Sequence, residues 1–222
     1  MPLLPAKLSV TQLTHRGDEY ARLEGLERAA FDYSRALERQ PKAVLSADSP
    51  ELVDGRLIGI ATHLVIAEVD LAGSVTKEAI EKIKEKLLAD GAITEATAEH
   101  IEIESIIAFF QSNLGQIALD AKNTVCREWP LTFALPASDF RDSSDELIVV
   151  QGIIDMLVQT PQGLAVIDFK TDNVSTEQAQ ERAMVYRRQL ELYSRAASAI
   201  LKSKILGKWL YFLTPGCAIE VT

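Results

Sequence analysis

Asp155, Asp168 and Lys170 are the side chains in this sequence whose types and spacing could do chemistry together. Two carboxylates brought into one small space with an ammonium form an acid cluster of the kind that holds a hard divalent cation through oxygen. Asp155 lies inside Leu147 to Val158, an almost unbroken apolar run rich in β-branched residues, which reads as a buried central strand. Thr160-Pro161-Gln162-Gly163 follows, with proline at the second turn position and glycine at the fourth, as a type I turn favours. The chain should therefore double back as a hairpin through Leu164 to Lys170. Alternation along the return strand puts Asp168 and Lys170 on one face and Ile167 and Phe169 on the other.

The register of this hairpin decides whether the acids meet. If Pro161 and Gln162 centre the turn, Asp155 falls opposite Asp168, with Cβ atoms roughly 5 Å apart. A bulge at Gly163 would slip the pairing by one residue and turn Asp155 to the wrong face. An unpaired charge inside a buried strand costs several kcal/mol, so Asp155 needs a cation or donors. All-oxygen ligation with open water positions suits Mg²⁺ or Mn²⁺.

Other elements must position these residues. Charged helical periodicity runs near Asp18 to Arg39, and Pro41 to Pro50 reads as a loop. A helix is expected from about Leu52 to Leu71, carrying His63 on an otherwise apolar segment, where a histidine alone reads as a hydrogen-bonded core residue. Thr76 caps a helix to Ala89 that Gly91 stops, Thr94 to His100 starts another, and helical pattern continues from Ile101 to Leu119. Thr124 to Leu135 is strand-like and includes Glu128, either a partly exposed strand carboxylate or an acid of the site. Pro136 to Glu146 reads as a loop. Ser175-Thr-Glu-Gln178 forms a capping box that opens a helix to about Leu201. Gln189 and Tyr193 share one face of it. Lys208 to Leu213 and Ala218 to Val221 are short strands around the turn Thr214-Pro215-Gly216.

The chain has 222 residues, room for one domain with a sizeable core. No apolar run approaches ~20 residues and no signal peptide is apparent, which points to the cytoplasm and to no membrane partner. Cys126 and Cys217 cannot by themselves build a four-cysteine cluster, so no iron–sulfur cluster is expected. The net charge of −9 argues against a stand-alone nucleic-acid binder, because phosphate affinity comes from clustered Lys and Arg. That objection weakens if another domain or a partner protein delivers the nucleic acid. No G-x-x-x-x-G-K-[ST] loop occurs, so the chain carries no ATP motor of that kind.

Gly152-Ile-Ile-Asp155, Asp168-Phe-Lys170-Thr-Asp172 and Gln189-x-x-x-Tyr193, in that order, resemble the core of the PD-(D/E)xK nuclease superfamily, and more narrowly the RecB-type nuclease domain at the C-terminus of AddA/RecB helicase-nucleases. Gly59-x-x-x-His63 with Val69-Asp70-Leu71 resembles the first motif of that family, with Ile60 where its members have Thr. Arg127-Glu128-Trp129-Pro130-Leu131 is similar to its R-E-x-P-F strand, and the segment from Gly91 to Gly115 to its helical insert. The resemblance implies an α/β, restriction-endonuclease-like mixed sheet flanked by helices. It implies one RecB-like domain over residues 1–222, with 1–123 mainly helical and carrying His63 and 124–222 the α/β core. It also implies that His63, Asp155, Asp168 and the main-chain carbonyl of Phe169 hold Mg²⁺, that Lys170 acts with Asp155 and Asp168 in catalysis, and that Gln189 and Tyr193 position a DNA strand. Glu128 is a candidate acid standing behind these ligands.

The expected activity is Mg²⁺-dependent DNA hydrolysis, exonucleolytic on strands fed by a helicase in double-strand-break repair and recombination. The partners so implied are DNA, a helicase domain of the same polypeptide and an AddB/RecC-like protein, and the ends of the sequence fit an excised C-terminal domain. A stand-alone phage-like nuclease and a catalytically silent DNA-binding or docking module are the alternatives. The missing cysteine quartet speaks against the AddB branch, whose nuclease domain uses an iron–sulfur staple.

Overall fold

The central hairpin forms as the turn chemistry requires. In a computed structural model that describes residues 7–10, 54–136 and 146–222, β3 (Leu147–Thr160) and β4 (Gly163–Lys170) pair antiparallel around a loop of Pro161 and Gln162. Thr160 opposes Gly163 and Met156 opposes Ile167, so the unbulged register holds, and continuing it by one position sets Asp155 against Asp168. The helix expected over Asp18 to Arg39, the loop Pro41 to Pro50 and most of the loop after Pro136 lie outside the described residues.

The described chain runs β1 (Lys7–Ser9), α1 (Gly55–Glu68), α2 (Lys77–Ala89), α3 (Glu95–Glu99), α4 (Ile103–Gln111), α5 (Asn113–Leu119), β2 (Thr124–Pro136), β3, β4, α6 (Thr176–Leu201), β5 (Ile205–Phe212) and β6 (Cys217–Glu220). The six strands form one mixed sheet. β2 pairs antiparallel along the whole of β3, while β1 pairs parallel with residues 149–151 of β3 and β4 with residues beyond 155. β1 and β4 therefore share one edge of β3. β5 continues the sheet parallel to β4, and β6 closes it.

Side-chain caps start the helices where the sequence indicates. Asp54 accepts from the Arg56 amide, Thr76 from Ala79, Thr94 from Thr97, and Ser175 exchanges bonds with Gln178 in a full capping box. These oxygens satisfy amides that have no partner within the first turn. The helix expected from Ile101 to Leu119 is instead two, α4 and α5, and the one expected over Leu52 to Leu71 is shorter, ending at Glu68. Ser112 causes the break: its backbone is extended, and its hydroxyl accepts from Gly115 N at 3.2 Å and donates to Phe109 O at 2.6 Å. A Cβ at Gly115 would stand 2.1 Å from Phe109 O, so the sharp corner needs glycine there. β5 begins at Ile205 rather than Lys208, because Leu164 and Ala165 of β4 extend the ladder to Ile205 and Gly207.

The sheet divides two apolar layers. On one face Met156, Val158, Ala165, Ile167 and Phe169 pack on the helices of the N-terminal half, including Val65, Ile66, Ile80, Ile106 and Phe109. On the other, Leu157, Leu164 and Val166 pack on Leu192, Tyr193, Ala196 and Ala197 of α6. Phe109, Phe169 and Tyr211 meet edge to face, with Phe109 4.7 Å from Phe169 and 4.9 Å from Tyr211, which fixes β4 against α4.

Candidate active site

Strand pairing aligns three acids. Glu128 of β2 sits at the position across from Asp155 of β3, between the pairs Arg127–Met156 and Trp129–Ile154, and Asp155 is across from Asp168 of β4. Glu128 reaches the site from a left-handed backbone, φ 46°, a conformation an L-residue with a long side chain adopts only at a cost. Its neighbour Arg127 donates through Nη1 to the carbonyl oxygens of Ile66 and Val69 at the end of α1. The Arg-Glu pair thus ties down the helix that carries His63 and adds a carboxylate to the row.

α1 delivers His63 to this row. Nδ1 of His63 lies 3.5 Å from Asp155 Oδ1, and its ring meets Phe169 edge to face at 6.1 Å. α1 comes close because Gly59, one turn earlier, faces Thr171, where a Cβ would be 3.0 Å from the hydroxyl. The other Asp155 oxygen accepts a 2.8 Å hydrogen bond from Phe169 N. Lys170 pairs with Asp168 at 2.7 Å and donates to Gln189 Oε1 at 3.4 Å, and Gln189 Nε2 donates to Tyr193 Oη at 3.2 Å. The structure therefore gathers His63, Asp155, Asp168, Lys170, Gln189 and Tyr193 into one connected site, with Glu128 beside them. Gln189 and Tyr193 are both buried, so neither is a surface residue.

The electrostatics follow from burying these charges together. Burial lifts the Asp168 carboxyl to about 6, against the pull of Lys170 and with a further push from Asp155. Burial and then Asp155 lift Glu128 to about 7. For His63 burial acts downward, but the Asp155 carboxylate outweighs it, with Glu128 and Asp168 adding, and holds the imidazole at about 9. Asp155 is held below the usual carboxylate range, because His63, Lys170 and the Phe169 amide together overcome its burial. Lys170 loses to burial and regains more from Asp168, so its ammonium is strengthened.

Donor chemistry fits a divalent cation at this point. One ligand atom each from His63, Glu128 and Asp155 falls within 4.8 Å of the others, a mixed nitrogen and oxygen set. Asp168 is not part of that triad and faces Lys170. No hydrogen-bond donor among the described residues reaches the buried Asp168 Oδ2 apart from its ion-pair partner Lys170. Crowded carboxylates whose protons are held only by mutual repulsion and burial are relieved by such an ion.

Tyr186 belongs to this site although no motif in the sequence singles it out. Its ring lies 4.1 Å below Lys170 Nζ, and its hydroxyl binds Asp172 and Arg182. A signal for it exists, since Tyr186 precedes Gln189 by three residues and Tyr193 by seven on the same helix stripe.

An antiparallel hairpin with paired acids and a lysine on its return strand, a parallel strand beside it and a flanking helix that presents glutamine and tyrosine define a nuclease architecture. The chain belongs to the PD-(D/E)XK nuclease superfamily, which it matches over residues 20–217. Its similarity runs to the A subunits of bacterial ATP-dependent helicase/nucleases. It is 32% identical over 225 residues to that of Moorella thermoacetica, covering 99% of this chain and 15% of the relative. With the Bacillus cytotoxicus protein it shares 38% identity over 177 residues, 73% of this chain and 14% of the relative. With that of Thermoanaerobacter sp. strain X514 it shares 32% over 223 residues, 98% and 17%. The chain thus spans about a sixth of the length of these relatives.

Proposed function

We propose that the chain is a Mg²⁺-dependent deoxyribonuclease, with Mn²⁺ able to substitute, acting as an exonuclease on strands that a helicase feeds to it in double-strand-break repair and recombination. The observation that carries this reading is the convergence of Asp155, Asp168, Lys170 and His63 from two strands and a separate helix into one buried cluster. His63, Asp155, Asp168 and the Phe169 carbonyl would hold the ion, and Glu128 joins this set on the strength of its distance from His63 and Asp155. When bound, the ion supplies Lewis acidity to a phosphoryl oxygen and lowers the pKa of water.

The chain's own groups do the rest. Phe169 N fixes the Asp155 carboxylate by its hydrogen bond, so that one oxygen is committed to the backbone and the other faces His63. Lys170 carries the positive charge that compensates negative charge growing on the attacked phosphate, and can orient a water. Asp168 holds that ammonium in place. Gln189 and Tyr193 extend the polar line from Lys170 along α6 and would set the strand against it.

None of the described helices is long and apolar enough to cross a membrane. A cytoplasmic setting, with a helicase domain of the same polypeptide and an AddB/RecC-like protein for partners, accords with the names of the relatives and with the net charge of −9, which disfavours DNA capture by this chain alone. The test is cleavage of labelled single-stranded and duplex DNA at low salt with Mg²⁺ or Mn²⁺, for wild type, Asp168→Ala and Lys170→Ala. Metal-dependent cleavage lost in both variants is expected. A protein that neither cleaves nor binds Mn²⁺ by calorimetry would be a docking module instead.

A further inference from the structure

We propose that Tyr186, braced by Asp172 and Arg182, is a positioning residue that fixes the Lys170 ammonium at the reacting centre. This rests on the nuclease reading above and assigns a role to groups outside the metal-binding set. Lys170 has three neighbours around Nζ: Asp168 at 2.7 Å, Gln189 Oε1 at 3.4 Å and the face of the Tyr186 ring, whose centroid is 4.1 Å away. The two oxygens fix direction within the cluster, and the ring forms a floor that also attracts the cation through its quadrupole.

A ring can serve as a floor only if its own tilt is fixed, and Tyr186 is held at its far end. Its hydroxyl donates to Asp172 Oδ2 at 3.1 Å and accepts from Arg182 Nη2 at 3.1 Å. Arg182 closes the triangle with Nε and Nη2 on Asp172 Oδ1, at 3.1 and 2.8 Å. The guanidinium also lies 5.2 Å from the ring centroid. Asp172 follows Lys170 by two residues at the exit of β4, and Arg182 and Tyr186 are one turn apart on α6. The triangle therefore joins the end of the lysine's own strand to the helix that supplies Gln189. A fork of two N–H donors on one carboxylate restricts orientation more than a single bond does. A lysine has a flexible stem, so without the floor its ammonium would sample positions displaced from the cluster.

The test combines turnover with a readout that needs no activity. Full-length protein carrying ¹³C-labelled lysine is examined without metal, and the Lys170 Cε–Hε signal is assigned by its loss in Lys170→Arg. The ring beneath Nζ should displace that signal upfield, Tyr186→Leu should return it to the position of the other lysines, and Tyr186→Phe should keep most of the displacement. In cleavage assays Tyr186→Leu should lower kcat by about 10²-fold with KM within roughly twofold, the pattern of a misplaced group rather than of lost substrate binding. Tyr186→Phe should recover most of that loss, and Arg182→Met should fall between the two. If Tyr186→Leu does not fold, Arg182→Met and Asp172→Asn carry the same comparison.

A Lys170 signal with no ring displacement in the wild type overturns the proposal, as does one that Tyr186→Leu leaves in place. An unchanged kcat in a folded Tyr186→Leu protein overturns it too. Should the wild type itself cleave nothing, the nuclease reading fails, and the lysine signal still decides whether Tyr186 fixes the ammonium.

Discussion

Gly152 and Tyr193 touch where the strand of Asp155 meets the helix of Gln189: a Cβ on Gly152 would stand 2.6 Å from Tyr193 Cε1. Hydrogen is the one substituent that fits there. Gly152→Ala should therefore lower stability by about 1–3 kcal/mol through overpacking. It should also push Tyr193 away from Gln189. The check is urea unfolding, where the midpoint should fall at unchanged slope. Adding Tyr193→Leu should recover part of the loss, and a double variant no more stable than Gly152→Ala would remove the contact as its cause.

Glu128 should trade stability against metal binding. Its left-handed backbone costs about 1–2 kcal/mol for a residue of this kind, and its carboxyl is buried beside Asp155. Asparagine tolerates that conformation and carries no charge. Glu128→Asn should raise the metal-free melting temperature and weaken Mn²⁺ binding by about tenfold or more. Melting in a chelator and calorimetric titration read the two effects separately. A variant that binds Mn²⁺ like the wild type would remove Glu128 from the ligand set.

Arg127 should govern how well His63 is held. Arg127→Gln strips donors from the Ile66 and Val69 carbonyls at the end of α1. A loss of about 1.5–3 kcal/mol follows from giving up a charged donor at a half-buried position. Mn²⁺ affinity should fall with it, although Arg127 touches no candidate ligand. Equal Mn²⁺ affinity in the two proteins would show that α1 needs no such tether.

Metal binding should expel protons and strengthen with pH. His63, held at about 9, Glu128 at about 7 and Asp168 at about 6 all lie above their ordinary values, so the metal-free protein keeps protons that a bound cation must displace. The sign follows: affinity for Mn²⁺ rises between pH 6 and 9 as those protons leave, and binding is weakest at the acid end. Near pH 7 His63 still holds its proton and Glu128 about half of one. Calorimetry in buffers of different ionisation enthalpy should register release of between one and two protons at that pH. Binding without proton release would mean that the ion avoids His63 and Glu128.

The central hairpin was legible because local chemistry decides it. Thr160-Pro161-Gln162-Gly163 sets the turn, the turn sets the register, and the register sets Asp155 against Asp168. Helix starts were legible for the same reason, since Thr76 and Ser175 cap within their own turn. What stayed hidden depends on distant neighbours. The corner at Ser112 needs the backbone of Phe109 against Gly115, and apolar periodicity runs through it unbroken. The left-handed turn at Glu128 answers to Asp155 and His63 across the fold, which no window of sequence around Glu128 contains. Tyr186 shares its stripe with Gln189 and Tyr193, yet its pairing with Asp172 arises only when α6 lies back over β4.

The tight loop between β3 and β4 also has a consequence for the order in which the charges meet. Hairpins close in roughly 1–10 μs, whereas contacts between remote parts of a chain must wait for larger loops to close. Asp155 and Asp168 are joined by such a hairpin, while His63 and Glu128 come from well upstream and Gln189 from the helix that follows. The like charges are therefore brought face to face before those partners arrive. Lys170 is the exception, because it lies on the same strand as Asp168, next but one along the chain. The cation assigned to chemistry in the finished protein is also the one that travels with the acids while the sheet assembles, so its replacement should slow folding at low salt as well as abolish turnover.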